Sequence, residues 1–391
     1  MSATSRVDCS SGAGVLYLAF DLGWSGWKLA FSTCPVENPR IRSMAARKLD
    51  DLEAEIAKAK KRFGLPADAP VRCCYEAGRD GFWLHRYLSA RGIDNCVVDA
   101  SSIEVPRRYR RAKNDRLDAS KLLGMLLRYW GGEKKVWSVV QVPTVAVEDR
   151  RQLHRELLTL KGERTEHVNR IKGLLAACGL ASEVDGDFPQ RLAELRTWDS
   201  QEVPLELQRR LLREFARWQG VDRHIAELER ERVARIQKSR GEALDQVRRL
   251  LRLRGIGANS AWLFVMEFFS WRQIRNRRQL GALAGLTPTP YDSGDGSREQ
   301  GISKAGNRRL RAMAIEIAWC WLRYQPGSRL SEWYRERFGS GKSRLRRIGI
   351  VALARKLLVA LWRYLERQEL PAGAVEAPKK LFCRALPVLV Q

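Results

Sequence analysis

The apolar residues of this chain change their period once, and that change limits the folds open to it. As far as residue 99 they come in short runs of strand length, at 15–21, 26–34, 71–76 and 96–99, separated by segments of helical spacing. From residue 153 onward the spacing becomes three and four. Such a chain predicts a mixed α/β region followed by helical ones. With 391 residues it exceeds one ordinary domain and has ample length to bury a core.

Residues 15–21 predict a strand, 26–34 its hairpin partner across a turn containing Gly23, Trp24 and Ser25, and 42–49 a third strand. A helix over 50–63, spaced by Leu52, Ile56 and Ala59, is stopped by Pro66 and Pro70. A strand at 71–76, a helix at 81–90, a strand at 96–99 and a helix at 114–130 follow. Three strands and then alternating helices and strands is the order of a ribonuclease-H-like domain. Next come two long helical segments. The first carries Leu153, Leu157, Leu160, Ile171 and Leu174, the second Leu207, Leu211, Trp218, Ile225 and Leu228. They read either as an antiparallel hairpin or as an intermolecular coiled coil. A mostly helical unit starts at Val247, with a Gly/Thr/Pro/Ser-rich stretch from Gly285 to Gly306 between two helical regions. The tail beyond Leu370 reads as less ordered.

Lys and Arg number 71 against 45 Asp and Glu, a formal charge of +26. The excess is clustered at Arg107, Arg108, Arg110, Arg111 and Lys113, at Arg272 to Arg278, at Lys304, Arg308, Arg309 and Arg311, and at Lys342 to Arg347. Clustered cations raise the local concentration of polyanions and release counterions on binding phosphates, so DNA or RNA is the expected partner. The eight cysteines include no C-x-x-C pair, which argues against both a zinc site and a disulfide framework. No apolar run is long and uncharged enough for a signal peptide or a membrane span, and a cytosolic protein without membrane association is expected.

Within so basic a chain, Asp21 and Glu76 each end an apolar strand, while Asp115 and Asp118 stand i,i+3 on the opening turn of a helix. Divalent metals that cut phosphodiesters need hard oxygen ligands, and a two-ion site separates its metals by about 3.5–4 Å. Four carboxylates suffice for such a site. Each acid also has a plainer reading, as a strand cap, a helix N-terminal charge or a surface residue. Asp80 and Asp99 are spare acids nearby.

Two motifs lie in the last third. Leu250 to Gly257 followed by 258–268 resembles a helix-hairpin-helix, in which the turn at Gly255 and Gly257 offers backbone N–H groups to a phosphate. Downstream, Gly285-Leu286-Thr287-Pro288 leads to Ser293-Gly294, then Arg298, then Ser303-Lys304-Ala305-Gly306-Asn307 with Arg308 and Arg311. A glycine-flanked serine followed by cations has what a phosphoryl-transfer nucleophile needs, although a Ser/Gly turn has the same composition. Tyr291 is a rival nucleophile. All four histidines, His85, His154, His167 and His224, lie upstream, so no neighbouring imidazole in sequence serves as base.

Together these residues resemble the DEDD transposases of bacterial insertion sequences, the bridge-RNA-guided serine recombinases, over about residues 15–340. The resemblance implies a RuvC-like N-terminal domain at 14–145 and a helical coiled-coil connector at 146–245. It further implies a mostly helical transposase domain at 246–340 with the catalytic serine, and a basic C-terminal helix and tail at 341–391. It implies that Asp21, Glu76, Asp115 and Asp118 hold Mg²⁺, or Mn²⁺ in its place, and that Ser293 attacks a DNA phosphate to give a covalent phosphoserine. It also implies donor and target DNA, a structured guide RNA, and a dimer that assembles to a tetramer, with acids and serine from different protomers, in the nucleoid-associated bacterial cytoplasm. The alternative is a structure-specific endonuclease like a Holliday-junction resolvase, using metal-activated water.

Overall fold

Strands that are apolar on both faces must be covered on both, and the first part of the chain is built that way. The computed structural model describes residues 14–35, 38–104, 115–293 and 296–377, without the side chains of 115–117, 290–293 and 296–300. The chain divides into two compact units, Met1–Val142 and Pro143–Gln391, a coarser division than the four segments expected from sequence.

In the first unit β1 (Leu16–Leu22), β2 (Gly26–Ser32) and β3 (Arg40–Ala45) form an antiparallel meander. Strands β4 (Val71–Glu76) and β5 (Asp94–Val98) extend it in parallel, giving the order β3-β2-β1-β4-β5. Helices α1 (Leu49–Arg62) and α2 (Trp83–Ala90) cover one face, packing Leu52, Ile56, Leu84 and Leu88 on Leu16, Leu18 and Phe20. Helix α3 (Asp115–Trp130) covers the other, where Ala119, Leu122 and Leu126 meet Ala19, Ala30 and Cys74. Large residues face α1 and α2 while small ones admit α3. A one-residue slip would drive Leu18, Phe20 and Tyr75 under α3, so the register is sterically fixed. Each large buried side chain contributes about 1.5–3 kcal/mol.

Two strands are displaced from their expected positions. The third ends at Ala45 rather than 49, because Arg47 takes φ +66° and the Ala46 N–H turns back to the Ser25 carbonyl at 2.9 Å. The fifth spans Asp94–Val98 rather than 96–99, because Asp99 leaves the strand to cap the turn Ala100–Ser102, accepting from the Ser101 N–H at 2.9 Å.

The second unit opens with α4 (Val145–Asp149) and then a long antiparallel pair, α5 (Gln152–Ala176) and α7 (Leu205–Lys238), with α6 (Phe188–Glu194) between them. Rungs of charge fix the pairing: Lys161 to Glu229 at 2.7 Å, Arg164 to Asp222 at 2.9 Å, and His167 to Glu214 at 2.6 Å. The two alternatives left by the sequence resolve to a hairpin within the chain. Its far end has a small core of Ile171, Leu175, Phe188, Leu211 and Phe215. Its base shares the larger core of the helices that follow.

Those helices are α8 (Glu242–Leu251), α9 (Ala258–Phe264) continued by a π turn at Val265–Phe269, α10 (Arg277–Leu283), α11 (Arg308–Tyr324), α12 (Arg329–Phe338) and α13 (Ser343–Arg367). Helix α13 is a core element, with Ile350, Leu353, Leu357 and Leu361 buried and its cations Lys342, Arg344, Arg346 and Arg347 exposed at its start. Residues 371–377 are also better tied than their composition suggests, and the rest of the tail lies outside the described residues. Glu376 bridges Leu253, the Ala377 N–H donates to the Arg252 carbonyl at 2.6 Å, and Gln325 holds Val375 through both its side-chain oxygen and nitrogen.

Between α10 and α11 the Gly/Thr/Pro/Ser-rich stretch carries a two-stranded ribbon, β6 (Pro288–Ser293) and β7 (Gly296–Ile302), with a register irregularity between Pro288 and Pro290. An isolated two-stranded ribbon is marginal by itself. This one is clasped at its base. Gly285 at φ +67° and Gly306 at φ +99° bring two chain segments so close that a Cβ on Gly285 would lie 2.1 Å from the Ala305 carbonyl oxygen. The Ser303 N–H donates to Thr287 O at 2.8 Å and the Asn307 N–H to Leu283 O at 2.9 Å.

Candidate active site

In the first unit, Phe20 on β1 is in parallel register with Tyr75 on β4, so Asp21 and Glu76, each one residue further on, stand in the same row near the C-terminal ends of neighbouring strands. Two residues back on each strand, Ala19 and Cys74 face α3, and the alternation of strand side chains sets Asp21 and Glu76 on that face too. Asp21 is half-buried and Glu76 exposed.

The direction of α3 completes the placement. Trp130, at its C-terminal end, stacks 3.9 Å from the guanidinium of Arg72 near the start of β4, and the Leu122 carbonyl meets the Cys74 thiol at 3.8 Å. Helix α3 therefore runs against β4, and its first turn, with Asp115 and Asp118, lies at the sheet end that carries Asp21 and Glu76. The sheet brings all four expected backbone positions to one end. Asp118 is exposed, and the Asp115 side chain lies outside the described residues. Among the described residues no three His, Cys, Asp or Glu side chains are grouped closely enough to hold an ion.

The spare acids have other work. Asp99 caps its turn, and Asp80, 8% exposed, pairs with Arg79 at 3.0 Å and Arg47 at 3.5 Å. Sequence reading passed over Lys28, the register partner of Asp21 on β2 and so a cation on the same face.

In the second unit Ser293 ends β6 opposite Gly296, and Tyr291 stands opposite Arg298. The side chains of Ser293, Tyr291 and Arg298 lie outside the described residues, as do Arg107, Arg108, Arg110, Arg111 and Lys113 altogether. Lys304 and Arg308 are exposed at the ribbon's base, Lys304 with φ +56°. Asn307 and Arg311, expected to touch nucleic acid, hold backbone here. Asn307 caps α11 by accepting from the Leu310 N–H at 3.1 Å, and Arg311 donates to Lys304 O at 2.8 Å and Ala284 O at 3.4 Å.

Beside the ribbon's base is a concave site of about 600 Å³ lined by Asn276, Arg278, Gln279, Ala282, Thr287, Pro288 and Arg355. Two cations and two amides over an apolar floor suit a backbone phosphate. Arg355 was not foreseen, since it comes from α13. Helix α13 brings it close to α10, where an added Cβ on Gly281 would lie 3.0 Å from Arg355 Nε.

The turn between α8 and α9 is divided in its roles. Gly255, at φ +88°, is pressed against α11, where a Cβ would lie 3.2 Å from that of Tyr324, whereas Gly257 has open space around it. Arg252 pairs with Glu376 at 2.9 Å. The histidines all have structural surroundings. His85 shares a hydrogen bond with Asn95, His167 with Glu214 and His224 with Glu227. His154 is fully buried, and burial together with Arg232 pushes its pKa down to about 4. Among the described residues no helix is long and apolar enough to cross a membrane.

Comparison with known proteins adds a family match and three relatives. Residues 247–334, from α8 into α12 and including the ribbon, match the family model described as Transposase IS116/IS110/IS902 family. A protein of Sinorhizobium fredii (strain NBRC 101917 / NGR234) named "Putative transposase y4rJ" is 40% identical over 375 residues, covering 93% of this chain and 94% of its own length. The transposase for insertion sequence element IS1111A of Coxiella burnetii is 28% identical over 291 residues, 73% of this chain and 75% of its own. The transposase for insertion sequence element IS1328 of Yersinia enterocolitica is 30% identical over 213 residues, 54% of this chain and 60% of its own.

Proposed function

Because the chain belongs to the IS116/IS110/IS902 family of transposases, we propose that it recombines DNA through a composite site with acids from the RuvC-like first unit and Ser293 from the second. The observation that carries this reading is the shared row of Asp21 and Glu76 at the sheet end where the first turn of α3 begins.

The donor set fits a hard divalent cation. Asp21, Glu76, Asp115 and Asp118 offer carboxylate oxygens, and the sulfur nearest in sequence to them, Cys74, is buried with its thiol pushed up by burial. Mg²⁺ held there would supply positive charge to the phosphate oxygens and the leaving oxygen. The rest of the chemistry falls to the chain. The Ser293 hydroxyl forms a serine–phosphorus ester as the phosphorus–sugar oxygen bond breaks, and the sugar departs as a free hydroxyl. Attack by the hydroxyl of the second strand reverses the step, which conserves the bond without ATP. Arg278, Arg355 and Lys304 beside the ribbon's base hold backbone phosphates.

Protein that reads backbone rather than base edges must obtain its sequence choice elsewhere, and a structured guide RNA supplies it by pairing with donor and target. Acids and serine come from different protomers, in a dimer that pairs to a tetramer.

The test is to trap the DNA adduct and map the modified residue by mass spectrometry. Wild-type protein gives a phosphoserine at 293, and Ser293→Ala loses both adduct and joined product by about 10³-fold or more. Metal-dependent nicking at an undiminished rate by Ser293→Ala would instead identify a resolvase-like hydrolase.

A further inference from the structure

We propose that Trp24, Arg47 and Arg79 form a platform that takes an unpaired nucleobase and its flanking phosphate beside the acidic strand ends. Trp24 stands in the turn between β1 and β2 and is 68% exposed, whereas the other described tryptophans of the sheet unit are buried or half-buried. The turn is tight, since a Cβ on Gly23 would lie 2.4 Å from the Gly26 carbonyl oxygen, so the ring is held out on a short rigid support.

Two guanidinium groups stand over that ring, Arg47 at 4.8 Å and Arg79 at 5.0 Å from its centroid. Arg47 also donates to the Trp24 carbonyl at 3.0 Å. Asp80 ties both arginines together and is itself nearly covered. Their side-chain freedom is therefore already reduced before any ligand arrives, which lowers the entropy lost on binding. A rigid aromatic face with planar cations attached is what an unpaired base needs for stacking and its phosphate for bidentate contact. A paired base keeps its faces inside the duplex and cannot use it.

Position gives the platform its purpose. Trp24 is three residues from Asp21 and Arg79 three from Glu76, a reach of at most about 11 Å along the chain. A base stacked on Trp24 would hold the adjoining phosphodiester near those carboxylates. This role rests on the acidic-site reading above, but the platform's binding does not need metal or cleavage, so the two fail separately.

The experiment measures fluorescence anisotropy of the full chain with labelled single-stranded DNA, single-stranded RNA and duplex DNA, each about 12 nucleotides long, at fixed salt with EDTA. Trp24→Ala is expected to weaken a single strand by about 5- to 150-fold, while duplex affinity changes less than about twofold. Trp24→Phe should retain most of the single-strand affinity. Whichever single strand loses affinity, DNA or RNA, names the source of the base. Unchanged single-strand affinity in Trp24→Ala, or an equal loss for single strand and duplex, overturns the proposal. Arg79→Ala, with an unshifted melting temperature, gives the same discrimination should Trp24→Ala fold poorly.

Discussion

Carboxylates are used in opposite ways in the two units. At the sheet end of the first, Glu76 and Asp118 are exposed and Asp21 half-buried. In the second, Glu214 and Glu267 are buried and ringed by cations. Glu267, 1% exposed in the π turn, accepts two hydrogen bonds from Arg155 at 2.7 and 3.1 Å and lies 3.8 Å from Arg151. Glu214 accepts from His167, Arg170 and Arg217. Burial alone would raise the Glu214 pKa, but those hydrogen bonds hold its carboxyl below the usual range. A buried acid already ringed by cations has few lone pairs left for an ion. The contrast separates buried, cation-ringed carboxylates that hold the fold from solvent-reached ones at the sheet end.

The sharpest way to break this contrast is to exchange the expected consequences. Asp21→Asn should lower strand cleavage by about 10²–10³-fold in a single-turnover assay while leaving the melting temperature unmoved. Glu267→Ala should do the reverse of the second effect, costing about 3–5 kcal/mol in urea unfolding because Arg155 and the buried Arg151 lose the carboxylate they share. Equal stability losses in the two variants would erase the distinction.

A smaller effect comes from His154. Its folded pKa of about 4 lies below its unfolded value of about 6.5, so between those limits the unfolded chain binds a proton that the folded chain refuses. Stability is therefore full above about pH 6.5 and falls, by at most about 3 kcal/mol, as pH drops toward 4. Among the described residues neither ring nitrogen has a hydrogen-bond partner. His154→Leu should flatten this slope, and a slope unchanged in denaturation curves at pH 4.5 and 7 would assign it elsewhere.

Glu214→Gln gives the smallest change, about 1–2 kcal/mol, since Arg170 and Arg217 are 46% and 61% exposed and can return to water. Because the Glu214 pKa is lowered, its contribution is present at neutral pH and lost as pH falls through the folded value. The variant and wild type should converge in stability at low pH.

The sheet was legible because its apolar runs are short and bounded by turn residues, and Asp21 and Glu76 could be picked out as acids directly following them. That they share a row depends on β4 inserting beside β1, which element order suggests but only the register fixes. The ribbon was missed because Pro288 and Pro290 argue against a strand. A two-stranded edge tolerates them, since half its N–H groups have no ladder partner. Asn307 and Arg311 bond local backbone, the Leu310 N–H and the Lys304 carbonyl, contacts that residue spacing alone does not show. Arg278 and Arg355 share a site across α10 and α13, a proximity no local pattern encodes. Glu267 sits in the run Trp262 to Phe269, where a lone acid among apolar neighbours demanded a buried cation that sequence could not name.

The rungs of the α5–α7 hairpin have a mechanical consequence. Sliding one helix past the other by a single turn, about 5.4 Å, would part Lys161 from Glu229, Arg164 from Asp222 and His167 from Glu214 together. The rod therefore has one stop position and no graded slack, so a push at its far end arrives at its root undiminished.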